Sequence, residues 1–527
     1  MSEPVVTIAP ENISEGTQQF RSQVGHISRQ SGVFFAGTIF SVAFGYVFKV
    51  YLARVLGAED LGLYALGVTL IGFIGIFNAL GLSQSAVRFV AAYQAAGRFK
   101  ELHALLWSGA GVLLAANLAL AAVLLIFGRY LAVHFYHSER LVKYLPLFAI
   151  MMLSSVLSAF YARVLAGYRD LKLRTLIVNF IGSPMTMLLS VALISVGRGL
   201  HGYLLAQIGS AVILSFLMLL AVRHITPAAA RFSSLPISFP RKEVWTFSVS
   251  MLGIGFMEFV MSQADKIALG YYRQARDVGV YAVAAVVVVY VPLVLSSINQ
   301  IFAPTISELH TRGDYVLLAR LFQSLTKWAI GFTLPLALVI MILSRPMMRI
   351  FGPDFEAGWP ILVIGTLGQL VNCGVGSVGY LLMMSGNERK LLKVQVVMAL
   401  VMVVLSVALV PLWGVMGAAV AAAITNIGVN AWNLLEVRAT LGLSPYNRGY
   451  LQLLPPTIAV AAVTLVVEKY RSVFHHDWLA IGTALALAYG VFATMVLMRR
   501  LDADDRLIVD AIWLRIRGVF SVVGGRV

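Results

Sequence analysis

Apolar runs of roughly 20 residues recur along nearly the whole chain, and each is long enough to cross a bilayer as a helix. Hydrophobic residues make up 59% of the 527 residues and charged residues only 12%, a balance that a water-soluble domain does not need. Backbone groups in hydrocarbon must be paired within their own segment, and the short alternating segments of a membrane barrel are not the pattern here. The sequence therefore predicts an all-α polytopic membrane protein.

About 14 transmembrane helices are predicted from these runs. Their approximate ranges are 31–54, 61–82, 104–127, 144–162, 175–196, 202–222, 244–271, 279–302, 325–344, 359–384, 391–412, 415–435, 450–467 and 478–498. The first 30 residues are polar and lack the basic-then-apolar order of a signal peptide, so we expect the first span to stay in the membrane. An even number of spans places both termini on the same side.

The positive charges indicate which side that is. Of the 40 lysines and arginines, 27 fall in the segments that share a side with the termini and 11 in the loops opposite. This bias predicts cytoplasmic termini in a plasma membrane (the cell inner membrane in a two-membrane cell). It also accounts for most of the net charge of +16, which would otherwise suggest nucleic acid, so the expected partner of these charges is anionic lipid. Residues 499–527 are predicted to form a cytoplasmic tail, part of it an amphipathic helix on the membrane surface.

A short polar motif occurs twice in the chain. The stretches "GAEDLGLYA" at 57–65 and "QARDVGVYA" at 274–282, which we call the twin turns, match at an offset of 217 residues. A second match, "GRFKELHALL" from Gly97 with "GDYVLLARLF" from Gly313, has an offset of 216. We expect the twin turns to be structural outer loops, with Asp60 and Asp277 capping the helices that follow.

The spacing of these matches predicts a duplicated six-helix unit. Because six is even, both copies enter the membrane from the same side and are parallel repeats, an arrangement typical of transporters. The predicted organisation is a cytoplasmic N-tail at 1–30, a first lobe at 31–222, a cytoplasmic linker at 223–243, a second lobe at 244–438, and two further helices within 450–498. A substrate path is expected along the seam between the lobes.

Ionisable residues gather in the span at 244–271. Glu258, Asp265 and Lys266 lie within about a third of the helix circumference, and such residues inside a membrane usually face a bundle interior or water. The offset of 217 maps Lys266 onto Lys49, the only lysine in the first span. We hypothesise that both lysines line the outer half of a cavity, with Asp265 or an anionic substrate offsetting their repulsion. The alternative is that each lysine extends separately to the outer headgroups and Asp265 pairs locally with Lys266.

Other candidates are weaker. Arg88 and Arg163 lie near predicted inner ends of helices, where anchoring to the inner face competes with a role in binding. No P-loop, HExxH or GxSxG motif occurs, and no outer loop is long enough for a catalytic domain, so we expect a protein that is not an enzyme and uses no cofactor or metal. The one cysteine, Cys373, lies in an apolar stretch and is expected to be a packing residue.

The stretches "FFAGTIFSVAFGYVFKVYLARVLGAEDLGLYAL", "GLSQSAVRFVAAY", "QADKIALGYYRQARDVGVYAVA" and "FGPDFEAGWPILVIGTLGQLVN" resemble polysaccharide flippases of the Wzx type. These belong to the multidrug/oligosaccharidyl-lipid/polysaccharide exporter superfamily, and the resemblance covers roughly residues 30 to 440. It implies alternating access between two lobes around a cationic cavity, with export of a polyprenyl-diphosphate-linked oligosaccharide, a precursor of surface polysaccharide. It also implies polysaccharide assembly proteins as partners.

The resemblance also suggests roles for the candidate residues. Headgroup partners would be the four cations Lys49, Arg88, Arg163 and Lys266, while Glu258 and Asp265 would couple an ion or act at a gate. Two other functions within the superfamily stay open, a lipid II flippase and a multidrug/cation antiporter. A membrane oligosaccharide polymerase or ligase is the alternative from a different class. The identity of the sugar, the coupling ion and the oligomeric state cannot be inferred from the sequence.

Overall fold

The structure, a computed structural model, describes residues 44–75, 80–168, 170–231 and 242–498. Throughout these ranges every regular element is a helix, as an all-α membrane protein requires. The predicted N-tail at 1–30 and the predicted amphipathic tail at 499–527 lie outside the described residues, as does much of the linker. The predictions for these segments therefore stay predictions.

The helices before the second copy of the repeat are long and mostly apolar. They are α1 (Phe44–Gly75), α2 (Leu82–Ala95), α3 (Phe99–Phe135), α4 (Leu145–Gly167) and α5 (Leu173–Ile225). The second copy and the C-terminal helices follow as α6 (Lys242–Tyr272), α7 (Ala275–Val289), α8 (Leu293–Arg312), α9 (Tyr315–Ile342), α10 (Trp359–Val375), α11 (Val378–Met384), α12 (Glu388–Trp413), α13 (Val415–Leu441), α14 (Leu454–Lys469) and α15 (Asp477–Met498).

The number of membrane spans is lower than predicted when length and apolarity are the only test. Ten helices in the described ranges are long and apolar enough, and the bent pair Ala275–Val289 and Leu293–Asn299 makes eleven if counted as one span. Two of the ten, α1 and α5, contain positive-φ glycines at Gly57 and at Gly197 and Gly199, each between two predicted spans. The prediction of 14 is therefore not confirmed, although the described residues of each predicted span include a helix.

The chain divides into two compact units whose boundaries fall inside helices. One unit contains the described residues up to Leu52, Leu70–His134 and Ser138–Phe256. The other contains Ala53–Thr69, Phe135–His137 and the described residues from Met257 onward. The middle of α1 thus belongs to the second unit, and the first half of α6 belongs to the first. This contact-based division differs from the predicted lobe boundaries at 222 and 244, which remain a prediction about duplication.

The first unit has a core between α2, α3, α4 and α5. Its fully buried members include Leu106, Leu113, Phe160 and Met218. In the second unit, α9 packs against both C-terminal helices, and Tyr489 of α15 donates to the carbonyl oxygen of Phe332 at 3.0 Å. Cys373 is fully buried there beside Leu295, Ala329 and Ile330, in agreement with a packing residue.

The second sequence match has the same local geometry in both copies. The amide of Arg98 donates to the carbonyl of Tyr93 at 2.9 Å, and the amide of Asp314 donates to that of Leu309 at 3.0 Å, so both bonds are related by the offset of 216. Gly97 and Gly313 have φ values of +65° and +73°, which favour glycine because a Cβ would crowd the backbone. This agreement supports the predicted duplication.

A third pair of equivalent positions is visible only in the structure. Gly199 has φ 49° and ψ −135°, and Gly414 has φ 57° and ψ −130°, a conformation that residues with a Cβ rarely adopt. Both glycines start the helix that follows, at Gly199 and Val415, and their offset is 215 residues. The sequence signal was "GLHG" against "GVMG", which is too short to stand out without the structure.

Candidate functional site

Asp265 lies in a polar cluster at the end of α6, inside the second unit. Its side chain is only 7% exposed and accepts a hydrogen bond from the hydroxyl of Tyr281 on α7 at 2.5 Å. Its other carboxylate oxygen accepts from the backbone amide of Lys266 at 2.7 Å. A buried carboxylate is tolerated when donors surround it, so this pair ties α6 to α7.

The ammonium of Lys266 is engaged on a different side of the cluster. Its Nζ donates to Gln263 Oε1 at 2.9 Å and to the carbonyl oxygen of Ser262 at 3.2 Å. Thr69 of α1 donates to the same Gln263 oxygen at 3.5 Å, and Thr69 is 1% exposed. The cluster therefore connects three helices through polar side chains. The Asp265 carboxylate accepts its hydrogen bond from the Lys266 backbone amide, so both the cavity hypothesis and the alternative of a local pair stay predictions.

The twin turns contact each other directly in the second unit. A Cβ placed on Gly62 would lie 1.6 Å from the carbonyl oxygen of Ala275, and a Cβ on Gly279 would lie 1.9 Å from that of Ala58. These two contacts exchange equivalent residues, since Ala58 and Gly62 correspond to Ala275 and Gly279 at the offset of 217. Only glycine permits such close backbone contact, so the repeated motif encodes a symmetric contact between its two copies.

Further contacts close the same end of this unit. Gly270 of α6 approaches Leu66 and Tyr136, whose atoms would lie 2.4 and 2.6 Å from a Cβ at that position. The Nε of Arg54 donates to the carbonyl oxygen of Ile350 at 2.7 Å, at the end of the short helix Ser344–Arg349. This end of the unit is therefore densely packed.

Asp60 and Asp277, the two residues expected to cap helices, both lie inside assigned helical ranges. Gln274, rather than Asp277, is the N-cap of α7, and it makes no side-chain capping bond. Asp277 lies inside the first turn, where its negative charge still favours the positive end of the helix dipole. Asp60 lies within the assigned range of α1. The prediction that Asp277 is the cap is wrong, because α7 begins at Ala275, three residues before the start that a cap at Asp277 requires.

The remaining candidate residues are exposed. Lys49, Arg88 and Arg163 lie in the first unit and Glu258 in the second, all with exposed side chains. The guanidinium of Arg88 lies 5.5 Å from the centre of the Phe89 ring, and that of Arg163 is close enough to Arg174 for the two charges to repel. The predicted convergence of these cations on one cavity stays a prediction.

Sequence reasoning missed Tyr281, Gln263 and Thr69 as members of the polar cluster. Tyr281 was visible as part of the repeated motif, but the pattern assigned it no partner. Gln263 stands three residues before Lys266 on α6, a spacing that brings side chains together on a helix. Thr69 had no sequence signal, because its contact with Gln263 spans 194 residues.

Comparison with known proteins defines the class of this fold. The lipid II flippase MurJ in an inward closed conformation superposes with a TM-score of 0.68 at 16% identity, over 88% of this chain and 99% of MurJ. An inward-facing multidrug resistance MATE family transporter superposes with a TM-score of 0.59 at 15% identity, over 76% of this chain and 94% of that one. The chain is thus a multi-pass membrane protein with the fold that MurJ and MATE transporters share.

The family follows from the sequence comparison. The model of the polysaccharide biosynthesis protein family matches residues 27–310, more than half of the chain, and the chain belongs to this family. The probable flippase AglR of Haloferax volcanii is 20% identical over 85% of this chain and 91% of its own length. The succinoglycan biosynthesis transport protein ExoT of Rhizobium meliloti is 24% identical over 59% of this chain, and the match spans 60% of ExoT.

Proposed function

We propose that this protein moves a polyprenyl-diphosphate-linked oligosaccharide from the inner to the outer leaflet of the plasma membrane, as a precursor of surface polysaccharide. The observation that carries the proposal is the coincidence of family and fold. The family is that of polysaccharide biosynthesis proteins, and the fold is that of MurJ, a lipid II flippase, over 88% of the chain. ExoT, which is named a succinoglycan biosynthesis transport protein, and AglR, which is named a probable flippase, support the same proposal.

The candidate residues fit the chemistry of this substrate. A diphosphate carries negative charge into an apolar region, and cationic side chains offset that cost. Lys49, Arg88 and Arg163 have exposed side chains, and the Lys266 ammonium is held in position by Gln263. In this proposal these four cations contact the headgroup in turn while the polyprenyl tail stays in lipid.

The two acidic candidates take different roles. Asp265 is buried and bonded to Tyr281, so we assign it to holding α6 and α7 together near the gate. Glu258 is exposed on the same helix and is the better position for binding a coupling cation or proton. Both termini are placed in the cytoplasm in this proposal, following the bias of positive charge.

The first experiment deletes the gene and measures lipid-linked sugar in the two leaflets. We expect the lipid-linked precursor to accumulate in the inner leaflet and surface polysaccharide to fall. Complementation with Lys49→Gln or Lys266→Gln should restore export poorly, whereas Lys100→Gln, which removes an exposed cation after α2, should restore it fully. Normal surface polysaccharide in the deletion strain, with no second flippase present, contradicts the proposal.

The fold similarity to MurJ makes lipid II the second candidate substrate. The two candidate substrates are distinguished by testing whether this protein can replace MurJ, which deletion of its own gene does not test. Growth of a MurJ-depleted strain that expresses this chain would favour lipid II. Failure to grow, together with restored export in the deletion strain, would favour the oligosaccharide.

A further inference from the structure

Helix α2 is packed tightly against the first half of α6, inside the first unit. A Cβ on Gly81, the residue before α2, would lie 2.0 Å from the carbonyl oxygen of Ser248. The hydroxyls of Ser85 and Ser248 are 2.6 Å apart, and both residues are fully buried. The two helices therefore touch backbone to backbone at this point.

Beyond this contact, three side chains link the end of α2 to the start of α6. Tyr93 donates its hydroxyl to Glu243 Oε1 at 2.9 Å, and Nη2 of Arg98 donates to the same oxygen at 3.2 Å. The Arg98 guanidinium also stacks over the Tyr93 ring, 4.6 Å from its centre. Nε of Arg98 contacts Glu101, three residues along the chain, at 3.3 Å.

The second copy of the repeat lacks this arrangement at the equivalent positions. The offset of 216 places Asp314 at the position of Arg98 and Leu309 at that of Tyr93. Asp314 accepts a hydrogen bond from the amide of Leu317 at 3.0 Å and so caps the start of its own helix, α9. The chain departs from its internal repeat here, and the replaced residues are the ones that reach α6.

The exposure of the charged pair makes the contact easy to break. Arg98 and Glu243 side chains are 34% and 46% exposed, so water solvates both charges once they separate. Tyr93, by contrast, is only 2% exposed, and its hydroxyl donates to the more exposed carboxylate of Glu243. An exposed ion pair adds little to stability, so its two charges can separate at a small cost in free energy.

We propose that Tyr93, Arg98 and Glu243 form a releasable latch, which holds the end of α2 against the start of α6. All three residues lie beside segments predicted to face the cytoplasm, the side from which a lipid-linked precursor is loaded. The inference rests on the proposed function for the direction of loading. It does not rest on that function for the latch itself, which is a property of two helices.

The test measures how fast a buried reporter on α6 becomes reachable from the inner side. Ser248→Cys is the reporter in a Cys373→Ala background, and a membrane-impermeant maleimide is added to inverted membrane vesicles. Glu243→Gln keeps the shape of the side chain and removes its charge. We expect it to raise the labelling rate about fivefold, the scale set by losing one such interaction.

Glu101→Gln is the matched control, because Glu101 also pairs with Arg98 but does not connect it to α6. We expect its labelling rate to equal that of the parent. Higher salt should accelerate labelling of the parent but not of Glu243→Gln, because only the parent has the ion pair between Arg98 and Glu243 that reaches α6. Equal rates in Glu243→Gln and the parent, or equal acceleration by Glu101→Gln, would overturn the proposal.

Tyr93→Phe provides a second variant that removes one hydroxyl and keeps the ring. If Glu243→Gln does not reach the membrane, Tyr93→Phe decides the question, and an unchanged rate with this variant also overturns the latch. The assay needs no substrate. If the labelling rates change as expected but deletion of the gene leaves surface polysaccharide unchanged, only the proposed function is contradicted. If the labelling rates do not change but deletion of the gene abolishes export, only the inference is contradicted.

Discussion

Two close contacts differ in their chemistry. One is the contact between the twin turns, on the predicted outer side, which we call the outer contact, and the other is the contact between α2 and α6, on the predicted inner side, which we call the inner contact. At the outer contact, Gly62 and Gly279 each face the carbonyl oxygen of an alanine in the other turn. At the inner contact, one glycine and a serine pair are followed by a tyrosine, an arginine and a glutamate. Both contacts use a glycine without a side chain, but the inner contact adds particular polar side chains.

This difference predicts how each contact responds to change. A backbone contact depends on shape, so added volume opens it and salt has little influence. An exposed ion pair depends on charge, so salt and neutral substitutions weaken it while the shape persists. The outer contact is also symmetric within the repeat, whereas the inner contact involves residues that differ between the copies.

The largest expected effect comes from adding a methyl group to the outer contact. Gly62→Ala or Gly279→Ala forces the turns apart, because a Cβ at either site overlaps a backbone oxygen. Overpacking of this kind costs about 1–3 kcal/mol or more. We expect a lower melting temperature of the purified protein and faster maleimide labelling of Val278→Cys, which is fully buried in the parent. Gly253→Ala on α6, where a Cβ meets open space, is the control. An unchanged melting temperature in both turn variants would show that the contact relaxes at no cost.

A somewhat smaller effect is expected from Tyr281→Phe in the polar cluster. The change removes the hydroxyl that donates to Asp265 and leaves a buried carboxylate oxygen without that donor. Loss of a partner by a buried polar group costs about 1–3 kcal/mol. Thermal unfolding should show the loss, while Tyr271→Phe, an exposed neighbour on α6, should match the parent. Equal stability of the two variants would mean that the bond between Tyr281 and Asp265 does not hold α6 to α7.

At the inner contact, Tyr93→Phe should cost less. It deletes one hydrogen bond to an exposed carboxylate, for which about 0.5–1.5 kcal/mol is typical. The melting temperature should therefore fall by less than in Gly62→Ala. Tyr446→Phe, on an exposed ring of the second unit, serves as the reference. A larger fall than in Gly62→Ala would reverse the comparison between the two contacts.

The smallest expected effect is that of salt on the parent protein. Raising the ionic strength to about 1 M shortens the screening length to about 3 Å and should loosen the inner contact without changing the outer one. Reporter cysteines at Ser248 and Val278 would show this as faster labelling at the first site only. Acceleration at both sites would indicate a general loosening of the fold.

Part of the candidate site was accessible from the sequence. The offset of 217 related one twin turn to the other and Lys49 to Lys266, because a duplication leaves matching residues at a constant spacing in the sequence. The buried position of Asp265 was not accessible, since it depends on which face of α6 meets α7. The contacts of Gln263 with Thr69 and of Tyr93 with Glu243 were missed for the same reason, because each joins two different helices.

The sequence by itself determined that the chain is a helical membrane protein with an internal repeat, because apolar length and periodicity act locally. The tertiary structure decided that the repeated glycines touch each other, that Asp265 bonds Tyr281, and that Arg98 reaches Glu243 while its counterpart Asp314 caps a helix. Apart from the cap at Asp314, these contacts join residues from 16 to more than 200 positions apart, and packing geometry rather than local pattern brings such residues together.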